Sequence, residues 1–477
     1  LITFDYNKNT GKLLFRCDNT TFDRVRDYFS VEDPNARFKR RMNRFIPTRK
    51  YAITPTGQCD LGLYWEIRKY LIENQITDTV DISDNLQKVL KTDDITAIYK
   101  EFTHELRDYQ LEVIKEALKI GRGTCVLGTG AGKTLTTAAI IENYYRLAKN
   151  RDTFKCLVIV PDLGLVSQTF DEFNSSGISF KLTKWTGSNV PDLTSNVVIC
   201  NIGILQSQFE DNEWIKYVDL LIVDECHKIR PDNKISKIIS KIKSLNRFGF
   251  TGTLPEDRYD QWSIIGKLGP VIYEKTSYSL RLENYLTNVE VKCLNLQYNQ
   301  QIPQVSDNKY RNELEFIHNN SFRNKFICNL CNKLPYNTLI LVNHIAHGEL
   351  LQEYFNSSST DKQVYFIRGE VSVDDRDNIK RLMEKSDNVI CIAISAIFST
   401  GVNIKNLHNI VFAAGGKSFI RTVQSIGRGL RLHDNKEKLH IFDLCDELEY
   451  GTRHSEKRKQ IYLKETIKYT DRYFKMC

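Results

Sequence analysis

Gly128-Thr129-Gly130-Ala131-Gly132-Lys133-Thr134 follows the apolar run Thr124-Cys125-Val126-Leu127 and opens a segment, 133–148, whose residues predict a helix. Strand, glycine-rich loop and helix in that order form a cradle for phosphate. Glycines let backbone N–H groups turn inward, and the helix N-terminus adds partial positive charge. A lysine at this place reaches the β and γ phosphates, and the hydroxyl after it sits on Mg²⁺. Gly128, Thr129, Gly130, Ala131, Gly132, Lys133 and Thr134 are therefore candidate nucleotide-binding residues, with Thr134 a candidate magnesium ligand. The first place of the eight-residue pattern is Leu127, where Gly or Ala is usual; a core-facing Leu is compatible with the loop. A glycine turn that binds nothing is the competing reading, and Lys133 with Thr134 argues against it.

Outward from the loop, short apolar runs alternate with helical stretches. The runs 123–127, 156–161, 197–200, 220–224 and 248–252 are continuously apolar, as in a parallel sheet covered on both faces. A second alternating block has runs at 338–342, 364–367, 389–394, 410–413 and 439–442. Two such blocks are hard to accommodate in one sheet. The expected fold class is α/β: two tandem parallel-sheet domains, a small α+β N-terminal domain, and a basic helical C-terminal tail. The boundaries expected are 1–100, 101–284, 285–449 and 450–477. The polar stretch 286–320 reads as strand plus linker.

The bulk composition agrees. A chain of 477 residues holds two to four domains at ~100–200 residues each. An apolar content of 41% argues against general disorder. The net charge of +8 fits a polyanionic partner without establishing one. No apolar run reaches the ~18–20 residues that span a bilayer, and no secretion segment opens the chain, so a cytoplasmic protein is expected. The 12 cysteines look like a reduced set. Cys328-Asn329-Leu330-Cys331 is the one CxxC; a structural zinc site needs four ligands, and helical spacing explains this pair without metal.

Asp224-Glu225-Cys226-His227 ends the apolar run 220–224. Strand ends at the carboxyl edge of a parallel sheet are where ligands bind. Asp224 is expected to hold Mg²⁺, and Glu225 to orient and deprotonate the attacking water. A salt-bridged pair of acids is the plainer alternative, so order and context carry the reading. His227 is read as a link between the γ-phosphate state and the next motif. Thr251-Gly252-Thr253 follows another strand; its hydroxyls suit coupling of the nucleotide site to a nucleic-acid groove, though alone it reads as a turn. Upstream, Arg107 and Gln110 precede the loop; a Gln amide can pair with the N6 and N7 edges of adenine, which makes ATP the expected nucleotide. Far downstream, Gln424, Arg428 and Arg431 share one helix face. Two arginines facing a γ-phosphate neutralise transition-state charge, worth ~10³–10⁵ in rate in related enzymes. The catalytic set expected is Lys133, Asp224, Glu225, Gln424, Arg428 and Arg431. Near the N-terminus Arg37, Lys39, Arg40, Arg41 and Arg44 are interleaved with Phe38 and Phe45, a pattern suited to a phosphate backbone with aromatic support. A merely solvated basic surface is the alternative.

In this order the motifs resemble those of superfamily-two helicases of the DExH type, whose two motor domains are RecA-like. The resemblance covers about 101–446. It includes Val160-Pro161-Asp162-Leu163-Gly164-Leu165-Val166-Ser167-Gln168 and Ile394-Ser395-Ala396-Ile397-Phe398-Ser399-Thr400-Gly401-Val402-Asn403. In that family these contact the tracking strand and the ATP site. The resemblance therefore implies DNA contacts at Gln168, Thr251 and Thr253 and nucleotide contacts at Gly401 and Asn403. Many members carry Asp where this chain has Asn403. A closer likeness is to the phage UvsW-type recombination helicases. It rests on Thr21-Phe22-Asp23-Arg24-Val25-Arg26-Asp27-Tyr28-Phe29-Ser30, Arg37-Phe38, His344-Ile345-Ala346-His347-Gly348, Phe398-Ser399-Thr400-Gly401 and Lys405-Asn406-Leu407-His408. That likeness implies a phage enzyme, in the host bacterial cytoplasm, acting as a monomer on branched or forked DNA. It would move 3′ to 5′ in branch migration, fork regression and clearing of D-loops or R-loops. The competing readings are an RNA helicase with the same motor and a nucleotide-gated nucleic-acid scaffold. A restriction translocase is a weaker one, because no further acid cluster with a lysine suggests cutting.

Overall fold

The computed structural model describes residues 1–33, 36, 48–90, 98–128, 130–187, 190–283, 285, 288–367, 381, 383–395, 406–414, 438–464 and 466–476. The chain forms two compact units, one of Leu1–Gly128 and Gly132–Lys275, the other made chiefly of Thr276–Cys477.

The first unit begins with a small mixed sheet. Strands β1 (Ile2–Asn7) and β2 (Lys12–Arg16) form an antiparallel pair, and β3 (Ser30–Glu32) pairs antiparallel with β4 (Arg49–Tyr51) in a separate two-stranded sheet. β5 (Gln58–Asp60) flanks β2, and β6 (Val80–Ile82) flanks β1 in parallel. Alternation along β1 sends Ile2, Phe4 and Tyr6 inward. Asp18 accepts from the Thr21 N–H and starts the helix Asn19–Tyr28. The core of this sheet also takes in Trp262 and Ile265 of the helix Arg258–Leu268. Gly62 lies against that helix: its N–H donates to the Gly266 carbonyl at 2.8 Å, and a Cβ would overlap the Ile265 carbonyl. Beside it Asp60 pairs with Lys267 at 3.0 Å. The N-terminal sheet is thus built onto the large sheet of its own unit.

That large sheet has seven parallel strands, ordered β13 (Val271–Lys275), β7 (Arg122–Leu127), β12 (Asn246–Thr251), β11 (Leu220–Asp224), β8 (Cys156–Val160), β10 (Val197–Asn201) and β9 (Leu182–Trp185). The five expected strands form its middle. They are buried along nearly their whole length, which is why they read as unbroken apolar runs.

The second unit holds another seven-stranded parallel sheet. Its order is β16 (Gln363–Ile367), β17 (Val389–Ile394), β15 (Thr338–Val342), β18 (Asn409–Phe412), β19 (Lys438–Asp446), β14 (Asn288–Tyr298) and β20 (Lys468–Met476). Two segments differ from the sequence reading. The stretch taken as strand plus linker contributes β14, a strand paired on both sides, followed by the helix Lys309–Asn319. The tail is helical over Glu449–Lys464, then adds β20 to the sheet instead of continuing as helix. Only Tyr469, Phe474 and Met476 of β20 are withdrawn from solvent, so this edge strand carries no apolar run to betray it. In this unit's interior Arg323 is fully buried; its Nε and Nη2 reach Asp446 at 2.8 and 3.0 Å, and Nη2 also donates to the Ala413 carbonyl.

Among the described residues no helix is long and apolar enough to cross a membrane.

Candidate active site

β7, β12 and β11 are successive neighbours running the same way, so their carboxyl ends share one edge. That edge collects the glycine loop, Asp224-Glu225 and Thr251-Gly252-Thr253, three motifs more than a hundred residues apart at their extremes. The loop leaves β7 with the Gly128 N–H donating to the Lys275 carbonyl at 2.8 Å. Gly130 and Gly132 then take φ of +83° and +71°, a region costly for residues with a Cβ. Gly132 also caps the helix Lys133–Leu147 with no side-chain acceptor, which leaves the first-turn N–H groups for an anion.

Gln110 braces this loop. Its Oε1 accepts from the Arg107 N–H at 2.9 Å, and its Nε2 donates to the Gly132 carbonyl at 3.2 Å and to Thr136 Oγ1 at 3.1 Å. The side chain is 2% exposed, and a Cβ on Gly132 would stand 2.6 Å from its Nε2. Both ends of the amide expected to face adenine are engaged with protein here, so the residue also acts as a helix cap and loop strut. Arg107 donates from Nη1 to the Tyr109 hydroxyl at 3.0 Å. Thr136 is a member the sequence reading missed. Its signal was a buried threonine one turn after Lys133, on the face that packs under the loop.

Beyond β11 the backbone turns sharply. Glu225 sits at φ +48°, rare for a residue with a side chain, and its N–H donates to Asp224 Oδ1 at 2.9 Å. Glu225 Oε1 lies 3.2 Å from Lys133 Nζ, and Oε2 lies 3.2 Å from His227 Nδ1. Burial pushes the Glu225 carboxyl up, but the Lys133 ammonium and the hydrogen bond from His227 outweigh it and hold the group at about 2. The chain of contacts continues. Thr251 Oγ1 spends its one proton on the Thr253 carbonyl at 2.9 Å, so His227 Nδ1, 2.9 Å from the same oxygen, must carry the proton between them. Lys133, Glu225, His227 and Thr251 therefore form one connected line across the sheet edge.

Thr134 follows Lys133 in the helix, and Asp224 ends β11, so both border this line. Gln168 lies on the helix Leu163–Ser175 and donates to Glu172 at 2.8 Å; Thr253 is exposed. The CxxC cysteines, Cys328 and Cys331, are buried within the helix Ser321–Lys333. Arg37, Lys39, Arg40, Arg41, Arg44, Thr129, Gly401, Asn403, Gln424, Arg428 and Arg431 lie outside the described residues.

Comparison with known proteins agrees with this geometry. Residues 103–256 match the family described as type III restriction enzyme, res subunit, and residues 323–433 match the helicase conserved C-terminal domain. The chain is 27% identical to the ATP-dependent DNA helicase uvsW of Enterobacteria phage T4, across 95% of this chain and 92% of that protein. It is 25% identical to the DNA 3′-5′ translocase XPB2 of Sulfurisphaera tokodaii, across 79% and 88% of the two chains. Its fold is similar to that of the Pyrococcus furiosus Hef helicase domain, with a TM-score of 0.53 at 14% identity, covering 75% of this chain and 98% of that one. Tandem parallel sheets, a phosphate loop and a lysine–glutamate pair at one sheet edge define a class, the ATP-hydrolysing helicases. Within that class the chain resembles superfamily two, DExH type, and in particular the phage UvsW-type enzymes.

Proposed function

We propose that the chain is an ATP-driven DNA helicase that remodels branched DNA by branch migration, fork regression and unwinding of D-loops and R-loops, moving 3′ to 5′. The observation that carries the chemistry is the Lys133–Glu225 pair at the mouth of the phosphate loop. The substrate and polarity rest on likeness to relatives named as a DNA helicase and a DNA 3′-5′ translocase.

The triphosphate of ATP takes the N–H groups of the loop and of the helix behind it, and draws Lys133 away from Glu225. The carboxylate then loses the cation that holds its proton affinity low while its burial remains, so it becomes a stronger base for the attacking water. Thr134 Oγ1 and the Asp224 carboxylate offer hard oxygen donors, the set that suits Mg²⁺. When bound, that ion neutralises charge on the β and γ phosphates. Arg428 and Arg431 supply guanidinium charge, and Gln424 a neutral amide, from the second α/β block, and His227 with Thr251 passes the state of Glu225 toward the strand-contacting segments. The parts at work are an N-terminal DNA-binding domain (1–100), two motor domains (101–284 and 285–449) and the tail (450–477).

An unwinding panel of matched forks, four-way junctions, R-loops and simple overhangs, with an RNA duplex of the same sequence, tests the reading. Junctions and forks should be processed fastest, with ATPase stimulated by DNA. Equal or greater activity on the RNA duplex would overturn the substrate assignment and leave the motor standing.

A further inference from the structure

The second unit contains a buried polar knot that none of the motor chemistry uses. Cys293 lies on β14 and faces Asp443 of β19 in register; Cys445 follows two residues along, on the same face. Both Sγ atoms and one carboxylate oxygen of Asp443 lie within 4.8 Å of one another, and all three residues are buried. Asp443 Oδ2 is fully occupied: Arg458 Nε and the Tyr462 hydroxyl each donate to it at 2.9 Å. Asp443 Oδ1, by contrast, is buried without a hydrogen-bond partner, a costly state for a carboxylate oxygen.

We propose that Cys293, Asp443 and Cys445 form a binding site for a single thiolate-seeking divalent ion of the zinc class, pinning β14 to β19. Two sulfurs and a carboxylate oxygen are a donor set that zinc accepts. At a zinc–sulfur distance of about 2.3 Å, two tetrahedral thiolates stand roughly 3.8 Å apart, inside the 4.8 Å that bounds the cluster. The surroundings supply what ligands of this kind need. Arg458 and Tyr462 fix the carboxylate through Oδ2 and leave Oδ1 for the ion, the usual role of groups behind a metal ligand. Arg458 Nη2 also lies 3.8 Å from Cys445 Sγ, placed to steady a thiolate. The charge balances as well. Asp443 and Arg458 cancel, and one divalent ion entering as two thiol protons leave keeps the buried site neutral. The site is independent of the helicase reading.

Native mass spectrometry and elemental analysis of the full chain purified without chelator test this, together with replacement by cobalt. The expected result is one zinc per chain with loss of two protons, and a near-ultraviolet sulfur-to-cobalt band in the cobalt form. Cys445→Ser and Cys293→Ser should each abolish both signals, while Cys328→Ser with Cys331→Ser keeps them. If the core serines do not fold, the wild-type mass and cobalt band decide alone. A metal-free mass and no band in folded protein, or a metal lost with Cys328 and Cys331 instead, would overturn the proposal.

Discussion

Lys133 Nζ stands 3.2 Å from Glu225 Oε1, so the lysine expected to hold phosphates and the carboxylate expected to activate water are paired with each other. The pair sets two variants apart. Glu225→Gln keeps the shape and frees Lys133, so nucleotide affinity should hold or rise while turnover falls by ~10²–10⁴. Lys133→Ala removes a charged contact to phosphate worth ~1.5–3 kcal/mol, so affinity should fall by ~10–100-fold. Fluorescent-nucleotide titration beside steady-state ATPase separates them. Normal turnover in Glu225→Gln would remove the carboxylate from the chemistry.

Gly132 and Gln110 are matched. An alanine at Gly132 meets Gln110 Nε2 at 2.6 Å and must also hold φ +71°. Gly132→Ala should raise the ATP KM more than Gln110→Ala does, because it deforms the loop where the other only unbraces it. A left-handed alanine costs ~1–2 kcal/mol before any clash, so a lower thermal midpoint should accompany it. The reverse order of KM effects would mean that Gln110 acts mainly on adenine.

The second unit rests on a buried ion pair. Arg323 is 0% exposed and shares Asp446 with the Tyr298 hydroxyl. Arg323→Ala strands that carboxylate in the interior and should cost ~3–5 kcal/mol. Denaturant unfolding followed by a probe on the helix Ser321–Lys333 measures it. A loss below ~1 kcal/mol would mean that water reaches Asp446.

Acid should loosen the same unit. Burial, the Arg323 charge and His344 push His318 down to about 3, and burial with Arg323 pushes His347 well down too. Unfolded, each takes a proton near its ordinary value of about 6.5. A base held below its unfolded value contributes stability above that value and loses it as pH falls. The unfolding midpoint should therefore decline from about pH 6.5 toward pH 3, and His318→Gln should flatten part of the slope. A midpoint independent of pH between 7 and 5 would contradict the assignment.

The middle of each sheet was legible because buried parallel strands cannot hide: 220–224 and 338–342 were bounded to the residue. The edges were not. β9 reads Leu-Thr-Lys-Trp and β13 Val-Ile-Tyr-Glu-Lys, and β20 carries Lys468, Asp471, Arg472 and Lys475. Charges blunt a free edge and erase the apolar signal by which a strand is recognised. At the site, motif and spacing pointed to Lys133, Asp224 and Glu225, and the fold brings Lys133 and Glu225 together. His227 was read as a link to the next motif, and it meets Thr251 there. The Gln110 brace depends on the backbone turn at Gly132, which spacing alone does not encode.

We propose that Arg428 and Arg431, which lie outside the described residues, supply guanidinium charge to the reaction of Lys133 and Glu225. The most direct test is paired measurement of ATP affinity and DNA-stimulated turnover in Arg428→Ala. Affinity close to wild type and turnover lower by ~10³–10⁵ are expected. Wild-type turnover would contradict it, as would a loss of affinity as large as the loss of rate.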